Sequence, residues 1–235
     1  MLDLSREKLL VIAPHPDDEI IGCGGLIAKT KKAGGKVYVL FLTVADTHDF
    51  SDRGHSSAAE RKKEIAAVAK YMKFDDYDLA FEGKDYHLQL DRLGQKALMD
   101  IIERKSRVSI EQIKPTIIAF PTYTSYNQDH QVAARAAHAA LRPSHHSKHQ
   151  ISTALMYEMP AEQWRLHEHT EINYFVHLSD EHMKQKLHAI ELYKSQVRPV
   201  PNPRAGEIVE AFAKILGSQS GASFAEGYVA YRMVT

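Results

Sequence analysis

Cysteine is nearly missing from this chain. Cys23 is the only one in 235 residues, which excludes an internal disulfide and any thiolate cluster and fits a reducing compartment. A metal site here has to draw on histidine and carboxylate. Net charge is missing too, because 30 basic side chains are matched by 30 acidic ones. No overall field draws the chain to nucleic acid or to an anionic membrane, so small or neutral partners are expected. Long apolar runs are absent, none approaching the roughly 18 residues of a membrane span. The first residues include Asp3, Arg6, Glu7 and Lys8 ahead of a short apolar run, not the apolar core of a signal peptide. The expectation is a cytoplasmic protein with no membrane insertion. No repeat and no interdomain linker is visible, and the proline-rich stretch 199–203 reads as a loop holding the C-terminal segment. Residues 1–235 are therefore expected to form a single domain, since one α/β domain runs to about 250 residues. A homo-oligomer is left open.

Histidine, by contrast, is abundant, with 14 in the chain. Imidazole is the commonest metal ligand and the usual proton shuttle, yet most of these must be incidental. The tract His145-His146-Ser147-Lys148-His149 follows Pro143 beside a helix end, and with nothing to fix its geometry it reads as a solvated loop. His167 and His169, flanking Glu168, read the same way.

Hydrophobic patterning predicts strands at 9–13, 37–44, 78–81, 116–120, 153–157 and 173–177. Helices are predicted at 20–32, from a Ser57 cap through Tyr71, at 92–107 and at 131–141. This alternation argues for an α/β, Rossmann-like fold: a mostly parallel sheet with helices on both faces, and ligands gathered outside the carboxyl ends of the strands.

Two turns stand out against that frame. Pro14-His15-Pro16-Asp17-Asp18-Glu19 follows the first strand and runs straight into a helix. Helix capping is the ordinary explanation for Asp17 or Asp18 taken alone. Capping does not call for His15, however, and a histidine and a carboxylate three residues apart can converge on one ion. The second turn, Tyr126-Asn127-Gln128-Asp129-His130, follows the strand at 116–120 and also precedes a helix. In a parallel sheet both turns lie on one rim, where His15, Asp18 and His130 can meet. Two histidines and one carboxylate form a known catalytic zinc set with a position left for water.

These residues resemble the LmbE-like, or PIG-L, family of N-acetylglucosaminyl deacetylases. The family signature stands here as Val11-Ile12-Ala13-Pro14-His15-Pro16-Asp17-Asp18-Glu19, followed by Gly22, Gly24 and Gly25. Further resemblance runs through Arg61 and Glu64, Asp129-His130, Tyr193-Lys194-Ser195-Gln196 and Ala225-Glu226-Gly227-Tyr228, spanning nearly the whole chain. The glycines are also similar to a dinucleotide-binding turn, but their spacing is not G-x-G-x-x-G, and close helix packing explains them more simply.

The resemblance implies that His15, Asp18 and His130 bind zinc, or another divalent transition metal, and that Asp17 is the general base. The implied partner is a small N-acetylated sugar conjugate, cleaved to acetate and a free amine. The chemistry agrees: zinc can lower the pKa of a bound water from 15.7 to about 7 and polarise the amide carbonyl. Arg61 is implied in substrate binding, although Arg61 and Glu64 at helical spacing also make an ordinary surface pair. Asp85, in Gly83-Lys84-Asp85, matches a loop implied to contact the sugar, with turn formation competing. Asp129 reads as the partner that orients a ligand or an active-site side chain, or as a helix cap.

One departure matters. Many family members carry His-Pro-Asp-His at the second turn, and their first histidine is assigned to stabilise or protonate the tetrahedral intermediate. Asn127 holds that place here. Its amide can stabilise an oxyanion but cannot deliver a proton to the departing amine. That task is left to Asp17, to Tyr123 or Tyr126, or to a histidine of the loop with His48 and His55. Two other readings compete. One is a zinc amidase for a non-sugar or N-acylated natural product. The other is a non-catalytic sugar- or nucleotide-binding module on the same frame, for which Asp17 beside a full ligand set would be superfluous.

Overall fold

The structure is a computed structural model that describes residues 3–48, 54–83, 86, 88–143, 148–165 and 171–234. A seven-stranded sheet forms its centre, built from β1 (Lys8–Ala13), β2 (Lys36–Val44), β5 (Asp76–Glu82), β6 (Ile117–Pro121), β7 (Thr153–Tyr157), β8 (Tyr174–Leu178) and β9 (Phe224–Met233). A two-stranded hairpin, β3 (Thr47–His48) and β4 (His55–Ser56), stands apart from it. The order across the sheet is β5-β2-β1-β6-β7-β9-β8. All pairings are parallel except those that β9 makes with β7 and β8.

Side chains alternate across a strand, so a strand covered on both faces must be apolar throughout. β1 meets this requirement: Leu9, Val11 and Ala13 pack into one core, and Leu10 and Ile12 into the other. β2, β6 and β7 divide likewise, with Ile117 and Ala119 facing the first core and Ile118 and Phe120 the second. The first core is covered by α1 (Asp18–Ala33), α2 (Ala58–Met72), α6 (Asp180–Leu192) and α7 (Gly206–Ser220). The second is covered by α5 (Gln128–Ala140) and by the segment holding α3 (Gly94–Asp100) and α4 (Ile110–Ile113). The alanines of α5 at 133, 134, 136, 137 and 140 are all buried there.

The expected helix at 92–107 is present but irregular. A 3₁₀ turn at Leu90–Leu93 enters α3, and a π-helical stretch at Ile101–Lys105 leaves it. α5 starts three residues earlier than its apolar pattern suggests, because the Asn127 side chain caps it by accepting the Asp129 N–H at 2.9 Å. His130 therefore lies inside the first turn of the helix. α6, α7 and β9 complete a C-terminal region that the sequence pattern did not resolve.

The glycines of α1 are explained by close approach. A Cβ on Gly22 would lie 2.5 Å from the Tyr157 ring, and one on Gly24 would lie 3.0 Å from Lys186 Cγ. The helix thus sits on β7 and α6 at a distance that side chains would forbid. The Glu226 carboxylate, buried under α1, accepts the Gly25 and Leu26 N–H groups at 2.7 Å each, together with Lys186 Nζ at 2.7 Å.

From β1 the chain builds outward to β2 and β5, then returns to place β6 on the other side of β1. The boundary between β1 and β6 is a topological switch point, where the loops leave in opposite directions and open a crevice at the carboxyl ends. Both polar turns lie there.

Candidate metal centre

Asp18 is the first residue of α1 and His130 belongs to the first turn of α5. Two helix N-termini thus point at the crevice and favour negative charge between them. His15 lies on the turn joining β1 to α1. Among the described residues, His15, Asp18 and His130 form a group whose ligand atoms all lie within 4.8 Å of one another, and all three are buried. Asp18 Oδ2 lies 3.3 Å from His15 Nδ1 and 3.1 Å from His130 Nε2.

The far nitrogen of each imidazole is held by another carboxylate. His15 Nε2 is 2.9 Å from Asp129 Oδ2, and His130 Nδ1 is 3.0 Å from Glu162 Oε1. Asp129 is fixed in turn by the N–H groups of Leu88 and Leu90, at 2.8 and 3.0 Å. Each ring is thereby set in one orientation, with the nitrogen facing Asp18 available to a cation. Burial pushes both imidazoles down, but the surrounding carboxylates more than reverse this, raising His15 and taking His130 to about 10. Burial pushes the Asp18 carboxyl up, and the two imidazoles hold it well below its usual range. An ionised carboxylate between two oriented imidazoles suits zinc or a similar divalent transition metal.

Neither acidic residue of the first turn caps its helix. Asp17 occupies the N-cap position, yet its side chain makes no capping hydrogen bond, and its backbone has φ 105° and ψ −29°. A non-glycine residue pays for such a conformation with strain. Both Asp17 oxygens are buried and have no hydrogen-bond partner among the described residues, and Arg204 Nη1 forms an ion pair with Oδ2 at 3.7 Å. Burial raises the Asp17 carboxyl above its ordinary range, opposed by Arg204 and Arg61. A carboxylate held without a hydrogen bond beside a candidate metal-ligand set can accept a proton from water.

The neighbouring residues hold this turn. Glu19 accepts the Asp17 N–H at 3.1 Å and the Tyr193 hydroxyl at 2.6 Å. Arg61 is buried, and its Nη2 donates to the Pro16 carbonyl at 2.7 Å. Glu64 is buried as well and accepts the backbone N–H and hydroxyl of Ser195, both at 2.7 Å. The alternative reading of Arg61 and Glu64 as an ordinary surface pair does not hold: both side chains are drawn inward and find other partners.

The crevice is lined by Asp18, Tyr126, Asn127, His130, Met159, Glu162 and Arg204, among others. Tyr126 thus borders the site, whereas Tyr123 lines a separate cavity with Phe120, His138 and Tyr231. The rings of His48 and His55 stack on each other, with centroids 4.8 Å apart, on the exposed hairpin. Asp85 lies outside the described residues, as do His145, His146, His167 and His169. Sequence reasoning missed Glu162 and Arg204. The one available signal was that Glu162 follows β7, whose carboxyl end shares the rim.

Comparison with known proteins agrees with this layout. The profile of the PIG-L family, described as GlcNAc-PI de-N-acetylases, matches residues 10–141, more than half of the chain and both turns of the site. The diacetylchitobiose deacetylase of Thermococcus kodakarensis is 28% identical over 223 residues, covering 94% of this chain and 82% of that one. The solved structure of N,N'-diacetylchitobiose deacetylase from Pyrococcus horikoshii, in complex with its inhibitor MPG, has a TM-score of 0.71 at 24% identity over 95% of this chain and 83% of that one. GalB, the 4-carboxy-2-hydroxymuconate hydratase of Pseudomonas putida KT2440, reaches a TM-score of 0.70 at 18% identity over 97% and 98% of the two chains. At these identities the two structures share the fold, and a fold that also carries a hydratase does not fix the chemistry.

Proposed function

We propose, because this chain belongs to the PIG-L family of GlcNAc-PI de-N-acetylases, that its rim site hydrolyses the acetamide of an N-acetylglucosamine-type conjugate to acetate and a free amine. The observation that carries this reading is the pair of imidazoles turned toward Asp18 by their own carboxylates, with the buried, hydrogen-bond-free carboxylate of Asp17 beside them. The deacetylase of Thermococcus kodakarensis, similar over 94% of the chain, supports the substrate class.

His15, Asp18 and His130 would hold zinc. Zinc held there would supply a Lewis acid for the amide carbonyl and would acidify water for attack at neutral pH. Asp17 would accept a proton from the attacking water, and its burial favours the protonated carboxyl. The Asn127 oxygen is engaged by the helix N-terminus, which leaves its amide N–H groups to stabilise the oxygen of the tetrahedral intermediate. Arg61 acts on the substrate site through the Pro16 carbonyl it holds.

Acetate release from a panel of N-acetylglucosaminides, with and without zinc, tests the proposal. Turnover that disappears on chelation and in Asp17→Ala is expected. Release from non-sugar acetamides alone moves the assignment to an amidase of another substrate class. Absence of turnover on every acetamide leaves a binding module.

A further inference from the structure

Glu162 belongs to none of the segments that resemble the family signature, yet it is 1% exposed and its Oε1 lies 3.0 Å from His130 Nδ1. A carboxylate does not reach such a place on a free loop. Glu162 sits in a single 3₁₀ turn, Pro160–Gln163, whose two flanks are fastened together. Glu158 precedes the turn and Arg165 follows it. Their side chains pair through two contacts, Nη2 to Oε2 at 2.7 Å and Nη1 to Oε1 at 3.2 Å, with each side chain 1% exposed. The fork-to-fork geometry fixes both partners in orientation as well as in distance. Arg165 Nη1 also donates to Thr124 Oγ1 at 2.7 Å, which ties the clasp to the loop carrying Tyr126 and Asn127. Burying a charged pair is costly, and here the pair holds the ends of the turn together.

We propose that Glu162 is a positioning residue for the metal ligand His130, presented by a turn that the Glu158–Arg165 clasp closes. The inference rests on the metal-hydrolase reading above and adds a residue to it. By accepting from Nδ1, the carboxylate fixes the tautomer that leaves the His130 Nε2 lone pair toward Asp18, and it raises the basicity of that nitrogen. His15 receives the same service from Asp129, so each imidazole of the ligand set has its own carboxylate, one from the first turn of α5 and one from the turn after β7. Among the described residues, the second oxygen of Glu162 is buried and has no hydrogen-bond partner. Among them, the bond to the ligand His130 is the one hydrogen bond its carboxylate makes.

The test is metal affinity and ligand-field spectrum, both read without turnover. Wild type, Glu162→Gln and Glu162→Ala are stripped, titrated with zinc against a chelator of known affinity, and separately loaded with cobalt for visible absorption. Glu162→Gln keeps an acceptor oxygen and loses the charge, so affinity is expected to fall by roughly 10- to 100-fold, the range for partners of metal-bound histidines, and to fall further in Glu162→Ala. The cobalt absorption bands should shift in both, while circular dichroism and melting show the fold intact. Folded variants that bind zinc within twofold of wild type, with an unchanged cobalt spectrum, overturn the inference and leave the proposed function standing. A wild type that takes up no stoichiometric metal overturns both. If Glu162→Ala fails to fold, Glu162→Gln alone decides.

Discussion

Asp17, strained and without a hydrogen bond on its buried carboxylate, makes a sharp prediction: removing it should cost activity and increase stability. Its φ of 105° lies where a side chain is disfavoured, at a cost of about 1–3 kcal/mol. Its buried oxygens make no hydrogen bond, and a buried polar group left unsatisfied costs about 1–3 kcal/mol. Asp17→Gly relieves both. Against this stand the greater chain entropy of glycine, about 1 kcal/mol at most, and the lost attraction to Arg204 and Arg61. The backbone bonds at this position, from Asp17 N–H to Glu19 and from Ile20 and Ile21 N–H to the Asp17 carbonyl, survive the substitution. A net gain of about 2 kcal/mol is expected, which at this chain length raises Tm by roughly 4–8 °C. Thermal unfolding of stripped protein measures it, so that metal binding does not confound the comparison. Asp17→Asn, which keeps the strain and removes the charge, should gain less. Acetate release should fall by roughly 10²- to 10⁴-fold in both variants, the usual cost of losing a positioned base. A glycine variant no more stable than wild type refutes the account of strain and desolvation. Activity within tenfold of wild type refutes the role of Asp17.

Stripping the metal should lower Tm as well as activity, because a ligand present at 100 times its Kd stabilises by about 2.7 kcal/mol; equal melting of stripped and zinc-loaded protein would contradict the ligand set of His15, Asp18 and His130. Gly22→Ala puts a methyl 2.5 Å from the Tyr157 ring, whose hydroxyl is tied to the Ile12 carbonyl at 3.0 Å, so a loss of about 1–3 kcal/mol from overpacking is expected in denaturant titration, and unchanged stability would show that α1 can lift from β7. His182 completes the capping box of α6 with Ser179, and burial, aided by Lys32 and Lys29, holds its imidazole below the ordinary 6.5. The folded state therefore binds fewer protons at His182 than the unfolded state, and its contribution is whole above pH 6.5 and lost as pH falls through the depressed value. Glutamine supports the same box, so wild type should lose stability relative to His182→Gln between pH 7 and pH 5, and parallel Tm curves would disprove the linkage.

The parallel half of the fold was legible because its strands are buried on both faces. Runs such as Leu9 to Ala13, apolar at every position, have few other places in a protein. The C-terminal region was not. β9 runs antiparallel between β7 and β8, and it carries Glu226 and Tyr228 inside the core, so its pattern lacks an unbroken apolar run. The buried Lys186 of α6, paired with Glu226 at 2.7 Å, masks a core-facing helix in the same way. Polar groups satisfied only by distant partners make an inward face look like an outward one.

The same reason divides the site. His15, Asp18 and His130 lie in two local motifs at the carboxyl ends of adjacent strands, and strand alternation was enough to bring those motifs to one rim. Glu162 and Arg204 reach the site from loops whose positions depend on the Glu158–Arg165 clasp and on packing of the C-terminal segment. No spacing in the sequence encodes that arrangement, and an isolated Glu in Pro160-Ala161-Glu162-Gln163 looks like any solvated turn.

In the proposed hydrolysis, proton delivery to the departing amine is constrained by how the remaining groups are engaged. The Asn127 oxygen is held by the Asp129 N–H, so the side chain offers the crevice only amide protons, which it cannot give up. Burial raises the Tyr126 hydroxyl above its ordinary 10, so near neutral pH the phenol keeps its proton and serves as a hydrogen-bond donor. A guanidinium such as that of Arg204 is a poor acid. Asp17 differs from all three: its buried oxygens lack hydrogen-bond partners, and its burial favours the neutral carboxyl. In the proposed hydrolysis, a proton taken from water would stay on Asp17 beside the ligand set, with no competing acceptor bonded to it among the described residues. The environment that strains and desolvates Asp17 thus suits it, in that proposal, to act as base first and acid second, where Asn127 replaces the histidine common in the family.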